Sequence, residues 1–161
     1  KLLENLYLLK KKNKIKKPLF LKISPDINDN NIIDIIELIY KYNIEGIILS
    51  NTSDKNREHL VDKNKLETGG LSGTPIRDIS TNLIRKFYKE TKGKISIIGV
   101  GGVDSGLAVF EKISAGANAI QLYTSMIYKG PGIVKEIKKD LIKILKKEKI
   151  KNMDNLVGIN S

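Results

Sequence analysis

Two short glycine-bearing segments, Gly69-Gly70-Leu71-Ser72-Gly73 and Ile97-Ile98-Gly99-Val100-Gly101-Gly102, and then the segment Gln121-Leu122-Tyr123-Thr124 follow one another along the chain. Their order suits one face of a site for a phosphate-bearing cofactor. An apolar run that ends in Gly-Gly just before a helix leaves backbone N–H groups without partners, and the helix dipole there favours an anion. Glycine suits the spot because a Cβ would hold the anion off. A Gly-Val-Gly-Gly on its own fits any tight strand-to-helix turn, and Gly-Gly-Leu-Ser-Gly on its own fits any loop. The conjunction is what points to an anion, since Tyr123-Thr124 ends the next apolar run and brings a further N–H and a hydroxyl.

Two other run ends carry polar groups. Lys22 sits within Leu19-Phe20-Leu21-Lys22-Ile23-Ser24, and Ser50-Asn51-Thr52 closes Gly46-Ile47-Ile48-Leu49. Asn offers both a donor and an acceptor, and Lys a fixed positive charge. There is no cysteine and one histidine, His59, in a polar stretch. Thiolate chemistry, disulfides and cysteine-ligated metals are thereby excluded, and His59 reads as a solvated loop residue.

These groups need strands and helices to position them, and the hydrophobic pattern supplies both in alternation. Leu2, Leu3, Leu6 and Leu9 lie at helical spacing; Pro18 and Pro25 bracket the first strand. Asp29 is the expected N-cap of a helix through Tyr42, with Ile32, Ile35, Ile36 and Ile39 as its apolar stripe. A buried strand over Gly46–Ser50 follows, then a long polar segment to about residue 78 that is a candidate functional loop. Helices are expected over 80–91, 105–115 and 131–147, and strands over 95–100 and 119–124. Four strands alternating with helices imply parallel β/α units, half of an eightfold barrel whose sites lie at the C-terminal strand ends. The chain begins without Met inside a helical pattern. The expectation is therefore that residues 1–161 form the C-terminal half of a single barrel domain whose first half is elsewhere.

The formal net charge is +11, which ordinarily raises nucleic acid or an anionic membrane as a partner. Yet only three of the 29 basic residues are Arg, the usual base-reading side chain, and the many Ile and Asn beside the Lys suggest an AT-rich coding bias. The Lys-rich runs at 10–17 and 138–151 read as solvated faces, and no nucleic acid is expected as a partner. No apolar run approaches the ~20 residues of a membrane span.

Lys22-Ile23-Ser24-Pro25-Asp26, Ser50-Asn51-Thr52, Glu67-Thr68-Gly69-Gly70-Leu71-Ser72-Gly73-Thr74-Pro75, Asp78-Ile79-Ser80-Thr81, Ile97–Gly102 and Gln121–Thr124 closely resemble the dihydroorotate dehydrogenase family. Asp78–Thr81 and Tyr128-Lys129-Gly130-Pro131 resemble its quinone-dependent class (class 2), and the match runs from Pro18 to the Asn155–Gly158 tail. The resemblance implies a TIM-type (β/α)8 barrel and a flavoprotein oxidoreductase of pyrimidine (UMP) biosynthesis. That enzyme holds FMN, oxidises dihydroorotate to orotate and reduces ubiquinone at the mitochondrial inner membrane in eukaryotes. Carried over by position, Lys22, Ser50, Gly73, Gly101, Gly102, Tyr123 and Thr124 contact the flavin cofactor, and Asn51 and Thr52 contact the pyrimidine. Ser50 replaces the family's usual Thr and keeps the hydroxyl. The class uses a Ser base on a loop of the first half. No segment here matches that loop, so no catalytic base is assigned, and the quinone tunnel likewise belongs to an N-terminal region.

Two other readings of the same residues stand beside this one. One is a different FMN- or phosphate-binding barrel enzyme, against which Asn51-Thr52 and the lack of a Cys nucleophile weigh. The other is a non-catalytic phosphate-binding fragment.

Overall fold

A computed structural model describes residues 1–55 and 57–161. Four strands, β1 (Phe20–Ile23), β2 (Gly46–Leu49), β3 (Ser96–Gly99) and β4 (Ala119–Ile120), form one sheet in chain order, every pair parallel. Helices α1 (Leu2–Lys12), α2 (Asn30–Lys41), α3 (Arg77–Thr91), α4 (Gly106–Ser114), α5 (Thr124–Lys129) and α6 (Ile133–Lys147) lie before, between and after the strands. Consecutive order in a parallel sheet is the arrangement of a barrel wall.

Strand register decides which groups face where. Leu21, Ile47 and Ile97 stand side by side, as do Ile23, Leu49 and Gly99, and most of these side chains join Ile32, Ile36, Ile39, Ile84 and Phe87 in a core between sheet and helices. The alternate row, Lys22, Ile48 and Ile98, points away from that core, because successive side chains of a strand take opposite faces. Lys22 is exposed there and Ile48 and Ile98 are half-buried. A second cluster, with Val103, Val109, Ile113, Ile133, Ile137 and Leu156, seats α4 against α6 and the C-terminal tail.

Two boundaries and one cap differ from the sequence expectation. The last strand is two residues long: Gln121 N–H still donates to Gly99 O at 2.9 Å, and the chain then turns into α5 from Thr124, a helix not anticipated from the sequence. Helix α3 begins at Arg77 rather than Ser80, continuing from a 3-10 turn over Thr74–Ile76. Asp29 precedes α2 without a capping bond, and its carboxylate accepts from Lys86 Nζ of α3 at 2.5 Å instead. Ser105 does cap α4, its Oγ accepting the Ala108 N–H at 3.3 Å.

Candidate functional site

The C-terminal ends of the strands surround a cavity of about 710 Å³, within the size range of small-molecule sites. All nine residues singled out in the sequence line it: Lys22 from β1, Ser50, Asn51 and Thr52 after β2, Gly73 in the long loop, Gly101 and Gly102 after β3, and Tyr123 and Thr124 after β4.

The strand ends are locked to one another before they present these groups. Ser50 N–H donates to Val100 O at 3.0 Å and Val100 N–H to Leu49 O at 2.6 Å, while Asn51 N–H donates to Ile23 O at 2.8 Å. Ser50 is buried and its Oγ donates to Asn51 O at 3.0 Å, whereas the side chains of Asn51 and Thr52 are exposed to the cavity. Asp26 braces the following turn: its carboxylate accepts Ser53 Oγ at 2.6 Å and Asp54 N–H at 2.7 Å. The Asn51-Thr52 pair is thus held from β1 on one side and by Asp26 on the other.

The long loop folds back over this edge. Ser53 and Leu71 exchange backbone bonds of 3.0 and 2.7 Å, an isolated antiparallel bridge. Arg57 gathers the loop from inside, donating to Lys65 O at 2.9 Å, to Glu67 O at 2.8 Å and to Gly69 O. Gly70 passes directly over Thr52: a Cβ at Gly70 would stand 2.0 Å from Thr52 Oγ1. That glycine makes room for Thr52.

After β3 the backbone takes left-handed values at Gly101 (φ +115) and Gly102 (φ +66). Packing adds a second reason for glycine at Gly102, since a Cβ there would lie 2.5 Å from Arg77 Cβ and 2.8 Å from Arg77 Cα, inside the first turn of α3. Arg77 closes the contact by donating Nε to Gly102 O at 3.1 Å and pairing with Asp104. Among the described residues, the N–H groups of Gly101, Gly102 and Tyr123 have no protein acceptor, and Gly102 is buried. Thr124 Oγ1 donates to Ser72 Oγ at 3.0 Å and its methyl lies against the Gly73 position, so the Gly69–Gly73 segment and the last strand end meet. Unpaired donors at adjoining strand ends fit an anion such as a phosphate monoester.

Sequence reasoning missed several contributors. Asp26, Arg57, Arg77 and Asp104 support the site without belonging to a glycine segment or to the polar strand ends. One signal was available: all three Arg of this Lys-dominated chain use the guanidinium fork on backbone carbonyls, Arg57 as above, Arg77 on Gly102 and Arg85 on Asn160. Among the described residues no group of three or more His, Cys, Asp or Glu is placed to hold a metal ion. No helix among them is long and apolar enough to cross a membrane.

Residues 2–145 match the family model for dihydroorotate dehydrogenase. The chain belongs to the dihydroorotate dehydrogenase family. It is similar to the quinone-dependent dihydroorotate dehydrogenase of Trichodesmium erythraeum, 43% identical over 96% of this chain and 43% of that protein. The mitochondrial quinone-dependent enzyme of Arabidopsis thaliana is 41% identical over 88% of this chain and 31% of its own length. Ligand-free DHODH from Eimeria tenella superposes with a TM-score of 0.85 at 39% identity, covering 88% of this chain and 39% of that one. This member of the dihydroorotate dehydrogenase family therefore spans about two fifths of the length of such relatives, and its four parallel β/α units correspond to part of a TIM-type barrel.

Proposed function

We propose that residues 1–161 contribute the cofactor-phosphate site and part of the substrate site of a single FMN-binding barrel domain, completed by strands outside this sequence. The complete protein oxidises dihydroorotate to orotate and passes the electrons to ubiquinone, a step of de novo pyrimidine biosynthesis. One observation carries the reading: the nine residues brought from four strand ends and the long loop line one cavity.

FMN, when bound, supplies the two-electron acceptor that no side chain here provides. Gly101, Gly102 and Tyr123 offer the unpaired N–H groups for its phosphate, with Thr124 adjoining and Gly73 letting the loop close on Thr124. Lys22 places an ammonium on the open face of the sheet, where it favours negative charge building up on a bound ring. Asn51 presents a donor and an acceptor to the imide edge of the pyrimidine, and Thr52 adds a hydroxyl. Ser72 and Ser50 are engaged with Thr124 and Asn51 and neither adjoins a histidine, so the proton at C5 is taken by a base outside these residues. The quinone tunnel and the contact with the inner mitochondrial membrane of a eukaryotic cell are likewise assigned to segments beyond this sequence.

The test uses the complete protein: released flavin is identified after denaturation, then the oxidised protein is mixed anaerobically with dihydroorotate and afterwards with ubiquinone. Bleaching of the flavin by dihydroorotate and its return with quinone are expected. A purified protein without flavin, or one whose flavin dihydroorotate leaves oxidised, would overturn the proposal.

A further inference from the structure

Behind the glycine turn, Lys112 of α4 is fully buried. Its Nζ donates to Thr81 Oγ1 at 2.9 Å, to Ser80 Oγ at 3.0 Å and to Arg77 O at 3.3 Å, so three N–H groups meet three acceptors on the first turns of α3. Both hydroxyls pass the bond on. Thr81 Oγ1 donates to Arg77 O at 2.9 Å, and Ser80 Oγ to Val100 O. Val100 O also accepts the Ser50 N–H, so one ammonium is linked through one hydroxyl to the ends of β2 and β3, next to Asn51 and Gly101. A cation at the N-terminal turn of a helix opposes the helix dipole, and burying it is costly. Stability alone gives no reason for a lysine here.

We propose that Lys112 is a positioning residue of the anion site: its ammonium fixes the first turn of α3 against the ends of β2 and β3 and sets a buried positive charge behind Gly101 and Gly102. The inference rests on the phosphate-site reading above and deepens it. There is little slack in the linkage, since the Cβ position of Gly102 already lies 2.5 Å from Arg77 Cβ. Burial, and then the neighbouring Arg77, push the Lys112 pKa down to about 7, while Glu111 and Asp78 act in the opposite sense; Asp104 is paired with Arg77. Near neutrality the group therefore exchanges its proton. A neutral amine has a lone pair that competes for the Ser80 hydroxyl hydrogen, which loosens Ser80 from Val100. A bound phosphate restores the ammonium, so anion binding and proton uptake are coupled.

The experiment measures FMN and riboflavin affinity of the complete apoprotein from about pH 6 to 9 by flavin fluorescence, for wild type and Lys112→Met. Wild type should bind FMN progressively more weakly above pH ~7, by up to roughly tenfold per unit, with riboflavin affinity flat. Lys112→Met should lose at least about tenfold in FMN affinity at the acid end and lose the slope, with riboflavin unchanged. Equal FMN affinity and slope in the two proteins, or equal losses for FMN and riboflavin, would overturn the role. Calorimetry of wild type in buffers of different ionisation heat covers a variant that fails to fold: uptake approaching one proton per FMN at about pH 8 supports the role, and none overturns it. Should wild type bind riboflavin as tightly as FMN, the phosphate-site reading itself falls, and Lys112 with it. A preference for FMN without proton uptake removes the role of Lys112 alone.

Discussion

Replacing Gly102 by Val tests whether the anion turn is set by close packing on α3. The turn holds φ +66 at this residue, a left-handed value that costs an L-residue roughly 1–2 kcal/mol, and more with a branched side chain. The new Cβ would start 2.5 Å from Arg77 Cβ and 2.8 Å from Arg77 Cα, and relieving such overpacking costs about 1–3 kcal/mol. Because Arg77 Cα is backbone, α3 has to withdraw from the turn, taking with it the Arg77 Nε bond to Gly102 O and the pairing to Asp104. Destabilisation of the apoprotein by about 2–5 kcal/mol is expected. One displaced charge-assisted bond to phosphate adds roughly 1.5–3 kcal/mol, a tenfold to hundredfold loss of FMN affinity. Urea unfolding of the complete apoprotein and FMN titration read the two effects separately. Gly132→Ala is the control, because a Cβ there meets nothing within 4 Å. Wild-type urea resistance together with wild-type FMN affinity in Gly102→Val would refute the packing argument.

Asn51→Ala should keep its flavin yet lower kcat/KM for dihydroorotate about a hundredfold, roughly 2–4 kcal/mol for a substrate group left unpaired; stopped-flow reduction measures it, and loss of flavin would show a different role. Lys22→Ala should slow flavin reduction at saturating substrate and lower the midpoint potential, and an unchanged potential in a redox titration would remove the charge role. Asp26→Ala leaves the Asp54 N–H without the acceptor it has at 2.7 Å; the KM for dihydroorotate should rise while FMN affinity holds, and steady-state kinetics beside a flavin titration separate the two. The last prediction concerns pH. With the Lys112 pKa lowered from 10.5 to about 7, the unfolded chain binds a proton that the folded one lacks between those values, so this group makes stability rise with pH there, by at most ~1.4 kcal/mol per unit. Below pH 7 both states are protonated and the slope vanishes, so Lys112→Met should exceed wild-type stability most in acid and least towards pH ~10. A pH-independent difference in urea melts would show that the ammonium is not desolvated.

The parts of this molecule legible in the sequence are those governed by local periodicity. Ile47, Leu49 and Ile97 read as strand because they are buried against helices, and the Ile32, Ile36 and Ile39 stripe reads as helix for the same reason. Asn51, Gly101 and Tyr123 were placed on one rim because parallel β/α units put their strand ends together. Long-range polar pairing left no such pattern. Lys112 sits in a chain full of solvated lysines, and its partners are 31 and 32 residues away, so nothing local distinguishes it. Asp29 shows the converse: it stands at the N-cap position its type suggested, but a lysine 57 residues on claims the carboxylate. Beyond Ile120 the apolar run suggests more strand, yet β3 has offered its last bond and Thr124 turns into helix.

The register of the sheet also fixes how costly each pairing is to make. Phe20 meets Gly46 and Ile98 meets Ala119, separations of 26 and 21 residues, whereas Gly46 meets Ser96 across 50. Doubling a loop adds about 0.6 kcal/mol of closure entropy, so chain entropy alone ranks the middle pairing last. The extra length is the loop that carries Arg57 and the Gly69–Gly73 segment. Loop-closure entropy thus favours two separate β-α-β units first, one bearing Lys22 and Asn51, the other Gly101 and Tyr123. The two parts of the cavity, one with Lys22 and Asn51 and the other with Gly101 and Tyr123, are joined by the pairing with the largest closure entropy, and the loop that lines the cavity is what raises that cost.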